Sequence, residues 1–187
     1  MNVYDFDKTI YKKHSSIKFF LYCLKKKPIL FFHLVFMFVL LFFNKLKWIS
    51  TKNYKEKYFS FLKKFNNVDD LVTQFWKKEI ENVNAWYYDV KQDDDVICSA
   101  SPEFLVKGCM SLINENAIVV ATKMEISTGK IDGENCKGEE KCLRIKSALN
   151  LEGDVVFENA YTDSLSDFPM LDLAKNKYIV CGKKCSR

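Results

Sequence analysis

Apolar residues in the first half of the chain recur at helical spacing. Between Tyr11 and Lys27, Ile17, Phe20, Leu21 and Leu24 fall on one face, which predicts an amphipathic helix with Ser15 or Ser16 as its cap. Pro28 then opens a second helix at a position where its missing N–H does no harm. The run from Pro28 to Phe43, PILFFHLVFMFVLLFF, has only His33 as a polar residue among sixteen. Asn44 to Trp48 breaks it. Tyr54, Tyr58, Phe61, Leu62 and Phe65 keep a 3.6-residue period in the third helix, Thr51 to Phe65. A fourth opens at Val68, with Asp69 and Asp70 near its N-terminus and Leu71, Val72, Phe75, Trp76 and Ile80 as its stripe. Residues 13–87 are therefore expected to be an all-α unit.

The pattern changes after the charged turn Asp93 to Asp95. VICSAS is a short β-prone run, and Pro102 starts a helix through Phe104, Leu105, Cys109, Leu112 and Ile113. AIVVA (117–121) reads as a buried strand, Thr128 to Gly133 as a hairpin turn, and 138–149 as a helix with Cys142, Ile145 and Leu149 as its stripe. A strand at Asp154 to Tyr161, a short helix with Met170 and Leu173, and a strand at Tyr178 to Cys181 complete the alternation. Alternating strands and helices predict an α/β fold with a mainly parallel sheet. One strand of that sheet lies at the front of the chain, Asn2 to Phe6, so the expected organisation is a core of residues 1–12 and 88–187 interrupted by a helical insertion at 13–87.

That first strand ends in two carboxylates, Asp5 and Asp7. Residues at i and i+2 of a strand point the same way, so both face one site unless the strand curls directly after Asp5. Like charges held together need a cation, and strand ends are where α/β sheets place their chemistry.

Composition bounds the picture. At 187 residues, 48% hydrophobic and 15% aromatic, the chain has material for a substantial core and is not disordered. The net charge of +5 is modest, but the lysines crowd the first third, as at Lys25, Lys26, Lys27, Lys45 and Lys47. A solvated helix face explains them most simply; an anionic membrane or a phosphorylated ligand stays open, and no nucleic-acid partner is expected. Seven cysteines, odd in number and without a CxxC pair, fit reduced thiols in a cytoplasmic protein. No signal peptide is expected, because the first apolar run follows an acidic strand. As a helix the 28–43 run measures about 24 Å, short of a bilayer core, so it is expected to be a buried helix, a dimer interface or a membrane-surface contact rather than a span.

Four motifs run in order through the chain: DFDKT (5–9), ICSAS (97–101) and DSLSDFPML (163–171) at the ends of predicted strands, and GEEK (138–141) between the last two at the start of a predicted helix, with SASPEFLV (99–106) and NCKGEEK (135–141) around the middle two. In this order and spacing the sequence resembles the haloacid dehalogenase-like (HAD) hydrolase superfamily, and within it the phosphoserine-phosphatase-like subfamily IB with a helical cap. The resemblance implies a Rossmann-like core, the 13–87 insertion as the cap, and hydrolysis of a small phosphomonoester through an aspartyl-phosphate. It implies Mg²⁺ held by Asp5, the main-chain carbonyl of Asp7 and Asp163, with Asp167 orienting those ligands from behind. It assigns Asp5, Thr9, Ser99 and Lys141 to the phosphate, and Asp5, Asp7, Ser99 and Lys141 to catalysis.

Elementary chemistry gives these residue types the same tasks. An aspartate is already ionised at neutral pH and attacks phosphorus without a base, provided a hard cation offsets its repulsion from the phosphate. The second aspartate must carry a proton for the leaving alcohol and then take one from water. A serine hydroxyl and a lysine ammonium bind the transferring oxygens. Taken singly, Lys141 is a surface lysine, Ser99 a strand-end hydroxyl, Thr9 a helix cap, and Asp163 with Asp167 a first-turn pair; taken in order they fit one phosphoryl-transfer site.

Three features depart from the family pattern. Thr162 stands where glycine is common and is expected to crowd the metal loop slightly. The short join Asn84 to Asp95 leaves out a helix. The stretch KKHSS, with His14, replaces the acidic residue that receives the substrate ammonium in phosphoserine enzymes, which argues against phosphoserine. Two other readings remain: a membrane-associated lipid-phosphate phosphatase acting through residues 28–43, and a HAD-fold protein that binds a phospho-ligand without chemistry.

Overall fold

The computed structural model describes residues 1–150, 157–181 and 184–186. A six-stranded sheet runs in the order β3-β2-β1-β6-β7-β8. Its strands are β1 (Val3–Tyr4), β2 (Val96–Pro102), β3 (Ile118–Thr122), β6 (Phe157–Thr162), β7 (Ala174–Cys181) and β8 (Lys184–Ser186). All neighbours pair in parallel except β7 with β8. A separate hairpin joins β4 (Met124–Glu125) to β5 (Lys130–Ile131), as the glycine-bearing turn predicts. Gly129 turns it with φ +71°, and a Cβ there would lie 2.6 Å from the Phe59 carbonyl. The predicted α/β core with a mainly parallel sheet is what the chain forms.

β1 is the sheet's centre although only two residues long. Both are fully buried, and three tyrosines fix its register: Tyr4 pairs with Tyr161, and Tyr161 with Tyr178. The rings stack at 4.7 and 4.8 Å, nearly parallel, and aromatic pairs across strands add to burial. The next amide, Asp5 N–H, still bonds the Tyr161 carbonyl at 2.8 Å. Register thus sets Asp5 level with the end of β6.

Between β1 and β2 lie α1 (Ser15–Lys26), α2 (Leu30–Lys45), α3 (Thr51–Phe59), α4 (Val68–Glu79) and α5 (Ala85–Val90), with 3₁₀ turns at Ser60–Lys64 and Ile80–Asn82. α4 buries its expected stripe, Leu71, Val72, Phe75 and Trp76. α1 does not: it turns Phe19, Phe20 and Cys23 inward, while Ile17 and Leu21 of the expected face are exposed. The third helix ends at Phe59 rather than Phe65, and Phe61 and Leu62 are buried from the 3₁₀ turn that follows. α5 corrects the expectation that the Asn84 to Asp95 join lacks a helix: its turn is short, and it is held by Tyr87, which is fully buried against Tyr4. The first helix starts at Ser15, one of the two residues expected to cap it, with His14 at the cap position; before it the chain from Phe6 to Tyr11 folds into a tight loop with Thr9 and Tyr11 amides on the Phe6 carbonyl. His33 is an interior histidine, its Nε2 2.9 Å from the Tyr58 carbonyl.

After β2 come α6 (Glu103–Ile113), α7 (Glu139–Ala148) and α8 (Phe168–Leu171). The predicted strand at Asp154 to Tyr161 is described from Phe157 onward; Asp154, Val155 and Val156 lie outside the described residues. β7 begins at Ala174, four residues before its apolar stretch, since Leu173 carbonyl and Phe157 amide already pair. Among the described residues no helix is long and apolar enough to cross a membrane.

The helical insertion meets the core where α4 crosses α6. Gly108 makes this crossing close: an added Cβ would sit 2.3 Å from Val72 Cγ1 and 3.2 Å from Trp76 Cδ1. Trp76 is itself pinned by a 2.8 Å bond from Nε1 to the Leu105 carbonyl. Alanine normally favours a helix over glycine, but here the clash with the buried, stiff Val72 and the pinned Trp76 ring dominates. Gly108→Ala is expected to destabilise by about 1–3 kcal/mol, read as a lower thermal midpoint, and Val72→Ala in the same chain should recover part of the loss. A Gly108→Ala protein as stable as the parent would mean the helices do not approach so closely.

Candidate active site

The strand β1 curls immediately after Asp5, the one condition under which Asp5 and Asp7 need not share a site. Lys8 takes φ +62° in that loop. Even so, both carboxylates line one cavity of about 380 Å³ at the carboxyl ends of the parallel strands, together with Ser99, Lys141, Asp163 and Asp167. The loop folds back so that the Asp7 side chain returns to the level Asp5 left.

Each group has a defined support. Asp5 is buried, and its Oδ1 accepts a 2.6 Å bond from Lys141 Nζ. Lys141 also donates to Asp167 Oδ2 at 2.8 Å and is 1% exposed, so the ammonium is held between two carboxylates and out of water. It stands in the first turn of α7, whose N-cap is Gly138. Asp167 also accepts from Thr162 Oγ1 at 3.1 Å. Thr162 Oγ1 in turn accepts from the Ser164 amide at 3.1 Å, so the residue expected to crowd this loop ties it together instead. Asp163 lies 3.8 Å from Lys8. Ser99 is buried at the end of β2, its Oγ accepting from the Ser101 amide at 3.1 Å.

Asp7 has partners that its sequence neighbourhood does not reveal. Its Oδ1 accepts from the Ser15 amide at 2.9 Å, and its Oδ2 from Ser101 Oγ at 2.8 Å. A side chain eight residues upstream thus caps α1, in place of the expected Ser15 or Ser16. This bond ties the first helix of the insertion to the site. Ser15 and Ser101 hydroxyls meet at 3.1 Å, closing the cluster.

Thr9 is brought elsewhere. It is fully buried, does not line the cavity, and its Oγ1 has no hydrogen-bond partner among the described residues, while its carbonyl accepts from Asn84 Nδ2 at 2.7 Å. Among the cavity residues that escaped the sequence reading are Ser101, Lys55 and Lys137. Ser101 had a signal, lying two residues after Ser99 on the same strand. Lys55 had none, as one lysine among many on α3. Its Nζ donates to the Ala100 carbonyl at 3.0 Å and Asn135 Oδ1 at 2.6 Å. Burial, and then the Lys137 charge, bring its pKa down to about 8 against the opposing pull of Asp7.

Burial also dominates the carboxylates. It pushes Asp5 up to about 6, with Lys141 opposing and Asp167 adding to the rise. Asp163 is raised as well, by burial first, with Lys8 opposing. Burial works against the Lys141 ammonium, yet Asp5, Cys98 and Asp167 outweigh it and its pKa is raised, so it stays charged. One ammonium between two buried carboxylates leaves the group short of positive charge.

That shortfall, and the all-oxygen donors, suit a hard divalent cation. Among the described residues no three His, Cys, Asp or Glu side chains converge as a metal cluster. The set implied for Mg²⁺ needs only two carboxylates, Asp5 and Asp163, and the Asp7 carbonyl, with water completing the shell, which is the sparse ligation Mg²⁺ accepts.

The ends of a parallel sheet bring an aspartate pair, a serine and a second aspartate pair to one cavity, and the first turn of α7 adds a lysine. The family model for haloacid dehalogenase-like hydrolases matches residues 3–172, and the chain belongs to that family. Solved structures of the same fold include a protein of unknown function from Bordetella pertussis Tohama I, at TM-score 0.77 and 18% identity, over 95% of this chain and 87% of that one. A phosphoserine phosphohydrolase-like protein from Francisella tularensis matches at TM-score 0.53 and 20% identity, over 91% and 81%. Cytosolic 5'-nucleotidase IIIB bound to cytidine matches at TM-score 0.53 and 12% identity, over 95% and 70%. No curated protein is similar enough in sequence to count as a relative.

The burial of Asp5 has a measurable consequence without metal. Its folded pKa of about 6 lies above the ordinary 3.8, so the folded state holds the proton more tightly and stability is gained as pH falls through that window. Relative to Asp5→Asn, the metal-free protein should gain up to about 3 kcal/mol in urea unfolding between pH 7 and pH 4. Parallel pH profiles for the two proteins would contradict the burial of an uncompensated carboxylate.

Proposed function

We propose that the protein is a Mg²⁺-dependent phosphomonoesterase working through an aspartyl-phosphate on Asp5. The observation that carries this reading is the buried Lys141 ammonium 2.6 Å from Asp5, at the strand end where Asp7, Ser99 and Asp163 also face the cavity. Family membership supports hydrolysis, and the names of the phosphohydrolase-like and nucleotidase neighbours agree with a phosphate ester.

In this reading the Asp5 carboxylate attacks phosphorus, the bond from phosphorus to the ester oxygen breaks, and Asp7 gives that oxygen a proton. Water then attacks the phosphorus of the aspartyl-phosphate, Asp7 takes the proton, and Asp5 is restored as inorganic phosphate leaves. Ser99 and Lys141 hold the phosphoryl oxygens. Lys141 therefore turns from Asp5 towards the incoming phosphate while Asp167 keeps it in place. Asp5, Asp163 and the Asp7 carbonyl would hold Mg²⁺, which when bound offsets the charge between carboxylate and phosphate. Ser101, bonded to Asp7 Oδ2, orients the acid, and the Asp7 cap on α1 links its position to the insertion at 13–87, read as the cap that selects substrates.

Three lysines, Lys8, Lys55 and Lys137, line the cavity beside the catalytic groups, together with His14. Among the described residues, those of the insertion that line the cavity, His14, Ser16, Ile17, Thr51 and Lys55, offer no acid to a substrate ammonium, so phosphoserine is not the expected substrate. The thiols fit the reading of a cytoplasmic location: Cys98 and Cys136 meet at 3.8 Å through a sulfur hydrogen bond.

Hydrolysis of p-nitrophenyl phosphate with and without Mg²⁺ tests the reading. Turnover should require the metal, vanish in Asp5→Asn, and fall by about 10²–10⁴ in kcat in Asp7→Asn with KM little changed. Full activity in Asp5→Asn would remove the nucleophile and the mechanism with it.

A further inference from the structure

The apolar run is a helix with its apolar side facing out. α2 buries only Leu30 and Met37. Phe31, Val35, Phe38 and Phe42, at intervals of four, three and four residues, form an exposed stripe in which the three phenylalanines are 56%, 65% and 61% exposed. Phe32, Val39 and Leu46 widen it, and Trp48 just beyond is 73% exposed. Such a contiguous apolar face marks an interaction surface.

Charge identifies what covers it. Exposed Lys25 and Lys26 lie before the helix, and exposed Lys45 and Lys47 at its end. From Lys8 to Lys55 the chain has eleven lysines and no Asp or Glu. A second copy laid α2 against α2 would bring two lysine clusters together, and α2 and its flanks out to Lys55 carry no acid to receive them. An anionic bilayer supplies both an apolar medium for the stripe and negative headgroups for its ends. At about 24 Å, α2 is too short to cross the membrane and is suited to lie in its surface.

The docking face is continuous with the catalytic cavity. Ile17 of α1 lines both that cavity and an apolar groove of about 180 Å³ between α1, α2 and α3, whose walls include Phe38 and Leu41 of α2. A phosphate at Asp5 whose ester carries an acyl chain has an apolar path over Ile17 towards the membrane-facing helix.

We propose that α2 docks the protein on an anionic bilayer and that the phosphomonoester it takes there is a lipid phosphate. Docking stands by itself; the choice of substrate rests on the phosphomonoesterase reading. The test uses flotation of the full chain with phosphatidylcholine vesicles with and without phosphatidylglycerol, and hydrolysis of phosphatidic acid in vesicles beside p-nitrophenyl phosphate. The protein should float with the anionic vesicles and be released by salt. Phe31→Ser with Phe42→Ser should weaken binding by on the order of tenfold per ring, and Lys45→Glu with Lys47→Glu should abolish the preference for anionic lipid. Both double variants should keep the parent's circular dichroism and aryl-phosphate turnover while losing activity on vesicle-borne phosphatidic acid. Failure of the parent to float, flotation untouched by both variants, or a dimer that the phenylalanine variant dissociates would overturn docking. Aryl-phosphate turnover without cleavage of phosphatidic acid would overturn the substrate class alone. Absence of aryl-phosphate turnover would instead count against the phosphomonoesterase reading, with flotation still deciding docking.

Discussion

Lys141 holds its ammonium between Asp5 and Asp167, at 2.6 and 2.8 Å, in a place water hardly reaches. Two buried carboxylates without that ammonium would carry an uncompensated charge costing several kcal/mol, so α7, the end of β1 and the loop after β6 are held to one another by it. The pair is nevertheless incomplete: one positive charge faces two negative ones, and burial raises Asp5. A site so poised gains by admitting a cation beside Asp5 and an anionic phosphate beside Lys141, which is the charge pattern phosphoryl transfer requires.

The sheet delivers these groups by register. The stacked tyrosines of β1, β6 and β7 fix where each strand ends, and the chemistry occupies the next few residues. The insertion is coupled to the same place through one carboxylate, because Asp7 bonds the first amide of α1. Movement of the helices is thereby linked to the position of the group read as the acid and base. The face those helices turn outward, the α2 stripe, lies one groove away from the cavity rim.

Much of this was legible in the sequence. The four motifs in order gave the cavity residues Asp5, Asp7, Ser99, Lys141, Asp163 and Asp167, and helical spacing with the apolar run located α1 to α4, though not the inward face of α1, where Phe19 and Cys23 are buried and Ile17 and Leu21 exposed. What stayed hidden was tertiary. The Asp7 cap depends on a loop that reverses direction within a few residues, and neither Asp7 nor Ser15 carries a local sign of it. Lys55 differs from its neighbours only in being folded under the β2 end. Thr9 matches its motif letter, yet the same loop turns it inward to a buried position. α5 is short and has few periodic residues to count, and β7 starts within polar AKNK because pairing with β6, rather than hydrophobicity, extends it. The apolar 28–43 run was visible, but whether its face turned inward or outward was not.

The central claim is that Asp5 carries the phosphoryl group. Acid quench during turnover with Mg²⁺, followed by borohydride reduction and mass spectrometry of the N-terminal peptide, reads this directly, since an acyl-phosphate is reduced to an alcohol and a free carboxylate is not. The account predicts homoserine at position 5 and at no other aspartate. Phosphate release with Asp5 unreduced throughout would contradict it.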